Sequence, residues 1–427
     1  MKTIKKISKI NLRSLKRHLK EIKDFNYHYL DKEIIINLIE INLFVFVNFI
    51  KNNPLIFMED KYDMIIDEYL YKILQIQLFN IVNLENEKDI KLDCNQIIIF
   101  IKNLFNGYIL PCRSYKNTFC RLRPNLLKLE KQLEYLINVY QPEQRTDEWY
   151  KFRHNTLTAS NIWKIFKSEY SRNQLIFEKC EPIKEFNKPN INSPMHWGQK
   201  YEPVSIMIYE KLYNTTISDF GCIPHKKYNF LAASPDGINT DKNSYLYGRM
   251  LEIKNVVSRD INGIPKCEYW IQMQLQMEVC ELNECDFLET KFNEYITYEE
   301  FIEDGNYNYS LDNKYKGIIL VFEKQNEDIY FKYKPLDMLE SDFNIWKKNI
   351  IDNTNDTLIR EIYWQLDVIS CILVLRNKFW FNQVLPIINN FWETLSREKI
   401  EGYQHRAPKK RMVKKQNNCL IDNSLFT

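Results

Sequence analysis

Glycine is scarce in this chain, with nine residues in 427. So few argue against a glycine-rich phosphate cradle, and no Gly-x-x-x-x-Gly-Lys run occurs. An excess of one charge is missing too, because the net charge is only +3 and overall charge does not announce a polyanionic partner. The ten cysteines never fall as Cys-x-x-Cys. Cys280 and Cys285 are the closest pair, and Cys222 with His225 has ligand-like spacing but no second pair to join it. Reduced, mostly buried thiols in an intracellular, reducing compartment are the expectation. No secretory leader is visible. The most apolar run, Ile34 to Ile50, is interrupted by Asn37, Glu40, Asn42 and Asn48. It reads as a buried helix rather than a bilayer span, and no membrane partner is expected.

What is present is ordinary for a soluble globular protein, at 45% hydrophobic and 27% charged residues. The length exceeds one typical domain, so a large core with an added lobe is the default. Both ends are basic. Residues 1 to 23 carry nine Lys/Arg against the single acid Glu21, with Ile4, Ile7, Ile10, Leu12, Leu15 and Leu19 at roughly helical spacing. That pattern suits either a basic helix lying on DNA or a partner, or a solvated helix face. From Asp31 to Tyr108 the pattern is helical and carries no chemistry; Ile65, Ile66, Leu70, Ile73, Leu74 and Leu78 suit a packed helix. Between Pro111 and Pro124, Arg113, Lys116, Arg121 and Arg123 interleave with Tyr115 and Phe119, as for a phosphate backbone with stacked bases. A salt-bridged surface loop is the alternative there. A helix from Leu126 to Val139 then leads to a domain junction at Gln141–Gln144.

The stretch from Ser234 to Lys254 organises the rest. It reads Ser-Pro-Asp-Gly, then fourteen residues, then Glu252-Ile253-Lys254. Residues alternate faces along a strand, so Glu252 and Lys254 point one way while Leu251 and Ile253 point into the core. The Pro-Asp-Gly turn ends a strand at Phe230–Ala233 and swings the Asp236 carboxylate to its tip. Two carboxylates converging at strand ends suit Mg²⁺, a hard cation that wants oxygen ligands. The Lys254 ammonium beside them can orient or deprotonate a water, or steady charge that builds on a phosphate.

Other residues acquire meaning around that stretch. Thr158-Ala159-Ser160 is expected to open a helix, and with Arg153 nearby its free amides would form an anion site. Ser193-Pro194 looks like an N-cap and first helical residue; Pro203 then kinks or restarts that helix at Glu202. On a helix from Glu268 to Leu282, Gln272 and Gln276 share a face. Strands follow at Asp286–Phe292, Gly317–Phe322 and Ile329–Lys334. Helices are expected at Asp337–Asp352 and Thr357–Ser396, the second interrupted near Pro386. Trp364, Phe379, Trp380, Phe381 and Trp392 fill a core. The tail from Arg406 to Lys415 holds six Lys/Arg and no acid, which suits a disordered segment that binds nucleic acid or serves as a nuclear address. The fold class is α/β: a mixed sheet flanked by helices, plus a mainly helical N-terminal lobe.

Five motifs in order, Glu148-Trp149…Arg153…Thr158-Ala159-Ser160, Trp197-Gly198…Glu202, Ser234-Pro235-Asp236-Gly237, Glu252-Ile253-Lys254 and Tyr269-Trp270-Ile271-Gln272-Met273-Gln274, resemble the lambda-exonuclease or YqaJ-type viral recombinase family. The similarity covers roughly Asp147 to Phe292. It implies a restriction-endonuclease-like core that digests double-stranded DNA from a 5′ end with Mg²⁺, for which Mn²⁺ can substitute. By that resemblance Asp236, Glu252 and the Ile253 carbonyl hold the metal, with Glu202 reaching it through water. Lys254 looks like the catalytic lysine, and Gln272 completes the site. Arg153, Ser160 and Ser234 look like the cradle for a terminal 5′-phosphate. The lysine-, asparagine- and isoleucine-rich composition resembles that of giant DNA viruses.

The expected organisation is a helical lobe over 1–140, the nuclease-like domain over 141–400 and a basic tail over 401–427. The reading this supports is an exonuclease in viral recombination or repair, acting at DNA ends, with a single-strand annealing protein and further copies of itself as possible partners. It would work in the host cytoplasm or viral replication site, with the nucleus left open. An endonuclease or resolvase on the same core is one alternative, and a non-catalytic DNA-binding or virion protein another.

Overall fold

A computed structural model of the chain describes residues 28–80, 86–120, 125–183, 194–325 and 328–408. The basic run at 1–23, Arg121, Arg123, Ser193 and the basic tail beyond Pro408 lie outside these residues.

Three helices open the described chain: α1 (Lys32–Asn52), α2 (Tyr62–Gln77) and α3 (Glu87–Tyr108). Each buries one stripe at helical spacing, such as Ile66, Leu70 and Leu74 on α2 and Ile97, Ile101 and Phe105 on α3. Helix α1 is long and apolar enough to cross a membrane, but here it packs on α2 and α3. Its buried Asn42 donates to the Leu38 carbonyl and to Gln77. Buried Asp93 on α3 accepts the backbone N–H groups of His28, Tyr29 and Leu30, fixing the entry of the chain.

Helices α4 (Leu126–Asn138), α5 (Asp147–His154), α6 (Lys164–Lys167), α7 (Glu169–Cys180) and α8 (Pro194–Tyr213) follow, with strand β1 (Leu157–Thr158) after α5. Then come β2 (Ile217–Ser218), β3 (Ile223–Pro224), β4 (Leu231–Ala233), β5 (Gly237–Asn239), β6 (Met250–Asn255), helix α9 (Cys267–Val279), β7 (Glu284–Glu294), α10 (Tyr298–Glu303), β8 (Lys316–Glu323), β9 (Ile329–Tyr333), α11 (Glu340–Asp352), β10 (Thr357–Leu375) and α12 (Lys378–Glu401). The main sheet is mixed, in the order β2-β5-β6-β7-β10-β8-β9, with β6 and β7 parallel. A small sheet, β1-β4-β3, stands beside it. This is an α/β fold with a helical N-terminal region.

The N-terminal helices join the core through one continuous hydrophobic cluster. Phe57 stacks near Trp270 of α9 at 6.4 Å between ring centroids. Arg113 is buried. It donates to Asp60, to the Glu59 carbonyl and to the Pro265 carbonyl, while Trp270 donates to the carbonyl of Arg113. Arg113 is therefore a tie between lobe and core, which removes it from the proposed nucleic-acid face. Next to it, the amides of Tyr115 and Thr118 donate to the carbonyls of Leu373 and Cys371. The segment so covers the part of the β10 edge that β8, paired only as far as Gln365, leaves open.

Three expectations are corrected. Thr357–Leu375 is a strand, not a helix. Its β-branched and aromatic residues favour the central position between β7 and β8, and its mixed burial along 19 residues hides the period of two. Pro386 does not interrupt α12; the carbonyl it frees is that of exposed Asn382, where water can satisfy it. Helix α8 runs on through Pro203 rather than restarting at Glu202. Near it the carbonyls of Gly198 and Lys200 accept from Asn255 and Tyr333, so side chains from the sheet support the backbone there.

Candidate active site

The site begins with a change of sheet. Strand β4 belongs to the small sheet and β5 to the large one, so Ser234-Pro235-Asp236 is the link between them. Strand β5 pairs antiparallel with β6, Gly237 against Leu251. One step beyond that pair sets Asp236 opposite Glu252. No strand partner continues there; instead the Ile253 amide donates to Asp236 Oδ2 at 2.7 Å. The N–H and C=O of one strand residue face the same edge, so the Ile253 carbonyl faces the Asp236 side.

Glu252 lies within β6 rather than at its end, and both faces of the strand are covered. Leu251 and Ile253 pack with Tyr209 of α8 and with Leu288. Glu252 and Lys254 face α9, as the alternation of a strand requires. The fully buried Glu252 carboxylate is held from that helix: Gln272 donates to Oε1 and Gln276 to Oε2, each at 2.7 Å, which leaves lone pairs for a further ligand. Lys254 also bonds Oε1 and lies over the Tyr269 ring at 5.2 Å. Gln276 is the residue the sequence placed on the right face without a role.

Electrostatics ties these groups together. Burial, with Glu252 and then Glu202 close by, pushes the Asp236 carboxyl well above the ordinary range, against the pull of Lys254 and the Ile253 amide. Burial opposes charge on Lys254, but Glu252 and Asp236 outweigh it and hold the ammonium protonated above the usual lysine range. Glu202, projecting from α8, is raised by burial and by Glu252 and Asp219, while Arg145 and Lys254 work against that. Glu202 pairs with Arg145 at 3.4 Å.

A second cluster shares the link. Arg153 donates to Ser234 Oγ at 3.3 Å and to Ser160 Oγ at 2.8 Å. Its guanidinium stacks on Trp149 at 4.3 Å, and Trp149 Nε1 also donates to Ser234 Oγ. Arg153, Ser160 and Ser234 are thus brought together, but not by a helix terminus. Thr158–Ser160 leave β1 into turns, and α6 begins only at Lys164. The anion site expected of free helix amides is replaced by side chains. Lys179, which nothing in the sequence marked, is buried and donates to the Arg153 carbonyl. Burial and then the Arg153 charge push its amine down to about 7.

The donors present are hard oxygens: the Asp236 and Glu252 carboxylates and the carbonyl of Ile253. Among the described residues no three His, Cys, Asp or Glu side chains are grouped to hold an ion by themselves. That set fits Mg²⁺, which keeps several waters and takes one or two carboxylates plus substrate phosphate. It does not fit a closed zinc cage. Cys222 and His225 do not act together either, since His225 Nδ1 accepts the amides of Lys227 and Tyr228.

The mixed sheet carries the Asp236–Glu252–Lys254 set under α9 in an α/β core. Residues 148–283 match the model of the YqaJ-like viral recombinase domain. An uncharacterized protein of Acanthamoeba polyphaga mimivirus is 30% identical over 335 residues, covering 70% of this chain. The chain spans 60% of that relative's length. Fainter likenesses exist to an alkaline exonuclease from Laribacter hongkongensis (19% identity, 60% of this chain and 94% of that one, TM-score 0.35) and a phage-related exonuclease from Haemophilus somnus (11%, 61% and 98%, 0.28). At those scores neither bears on the function.

Proposed function

We propose that the protein is a Mg²⁺-dependent deoxyribonuclease that degrades double-stranded DNA from the 5′ end, acting in viral recombination or repair. The observation that carries this reading is the shared link: Ser234 belongs to the cationic Arg153 cluster, and Asp236, two residues on, belongs to the acidic one. A terminal phosphate fits the first and a phosphodiester the second. Asp236, Glu252 and the Ile253 carbonyl would hold the metal, with Glu202 outside them. The ion's contribution when bound is Lewis-acid charge neutralisation at the phosphate and a more acidic water.

The chain's own residues supply the rest. Gln272 and Gln276 fix the rotamer of Glu252, and such second-layer bonds set ligand orientation. Lys254 enters as an ammonium, so it donates to water or to phosphate oxygen and steadies charge that develops there. Arg153, with Ser160 and Ser234, offers several donors to a terminal phosphate, a strong charge-assisted set.

The test is incubation of linear 5′-phosphorylated duplex with Mg²⁺ or with chelator. Degradation in Mg²⁺ alone is expected, and an intact duplex in both would end the proposal. A covalently closed circle should remain whole; if it is cut, the same core works as an endonuclease.

A further inference from the structure

Arg145 occupies a conformation that its side chain disfavours. Its φ of 69° lies in the left-handed region, which glycine enters freely and other residues enter at a cost. Its pair with Glu202 is a single contact at 3.4 Å, and the arginine side chain is about half exposed. One long contact from a half-exposed guanidinium to the partly buried Glu202 adds little to stability, so it does not offset the backbone strain. Strain that persists in this way clusters where a group is used.

Its surroundings say for what. On one flank Thr146 caps α5, the helix that carries Trp149 and Arg153. On the other, Gln144 donates to the carbonyls of Phe220 and Pro235, the latter in the link between Ser234 and Asp236. Both flanks are pinned to the two halves of the site, and the left-handed turn between them carries the guanidinium to Glu202 at the rim. The acidic centre has Lys254 within it; Arg145 adds a cation at its mouth.

We infer that Arg145 is a contact for the DNA backbone, binding a phosphate near the cleaved bond and resting on Glu202 until substrate arrives. The inference rests on the nuclease reading above. A guanidinium can engage phosphate with two parallel bonds, a better match than its single contact here.

The experiment compares wild type, Arg145→Gly and Arg145→Lys for binding of a fluorescent 5′-phosphorylated linear duplex in chelator, across a salt series, alongside thermal unfolding. Arg145→Gly should unfold at the same or a higher temperature, while the slope of log affinity against log salt falls by about 0.9, the value of one lost phosphate contact. Arg145→Lys should keep the slope. If Arg145→Gly keeps the wild-type slope, whatever its unfolding temperature, this inference is overturned alone. If the wild type binds no duplex, the nuclease reading falls with it.

Discussion

Gln276 donates to Glu252 Oε2 while Gln272 donates to Oε1, so one helix clamps both oxygens of a carboxylate with no exposed surface. Gln276 is itself buried, so the arrangement is sensitive to a change of shape-matched polarity. Gln276→Leu should lower stability by about 1–3 kcal/mol, the cost of a buried group left without its partner. It should also slow degradation, because Glu252 loses its fixed orientation. Urea unfolding and the rate on linear duplex check the two halves separately; an unchanged rate would mean that Gln272 alone sets the carboxylate.

Lys254→Met keeps most of the apolar stem and removes the ammonium. Loss of one preorganised donor to developing charge costs about 100- to 1,000-fold in rate. Duplex affinity in chelator should change far less than the rate. Wild-type turnover in this variant would remove Lys254 from the chemistry.

Arg153→Ala should erase the preference for a phosphorylated over a hydroxyl 5′ end, since Ser160 and Ser234 then face each other without the cation that joins them. The informative quantity is the ratio of rates on the two ends, not either rate alone. A ratio equal to that of the wild type refutes the cradle.

Lys179 gives a pH dependence with a definite sign. Its folded pKa of about 7 lies below the ordinary lysine value, burial being the largest cause and Arg153 the next. The unfolded chain then binds the extra proton more readily, so this residue's contribution to stability rises as pH goes from about 7 toward 10. Below about pH 7 the full penalty of a buried charge is present. Lys179→Met should therefore gain most over wild type at pH 6 and least at pH 9. A difference in unfolding temperature that is flat across that range would contradict the placement of this amine.

Arg113→Ala separates a structural arginine from a DNA-binding one. It leaves the buried Pro265 carbonyl without its donor, at about 1–3 kcal/mol for a buried group stranded, while exposed Asp60 keeps the Cys267 amide and water. Unfolding should come earlier, with no change in the salt slope of duplex binding. A reduced slope would restore the nucleic-acid reading of the 111–124 segment.

Much of the site was legible because short-range chemistry wrote it. The alternation in Glu252-Ile253-Lys254 and the facing pair Gln272 and Gln276 follow from period, and the structure carries both as read, whereas Pro235-Asp236-Gly237, expected as a turn, is a link from the small sheet into the large one. What failed depended on long-range packing. Strand β10 looks helical until its neighbours β7 and β8 are known, and Pro386 looks like a break until its freed carbonyl is seen to face water. Lys179 and Arg145 carry no motif. One is defined by burial under α5, the other by a backbone angle, and neither quantity can be seen in a string of letters.

The backbone bonds from Tyr115 and Thr118 to β10 have a consequence for trimming this protein. Those two amides close a flank of the central strand that would otherwise present bare carbonyls to any passing extended chain. Cutting away everything before residue 125 would remove not an ornament but a selvedge. The shortened polypeptide should then find its missing border in another copy of itself, and clump.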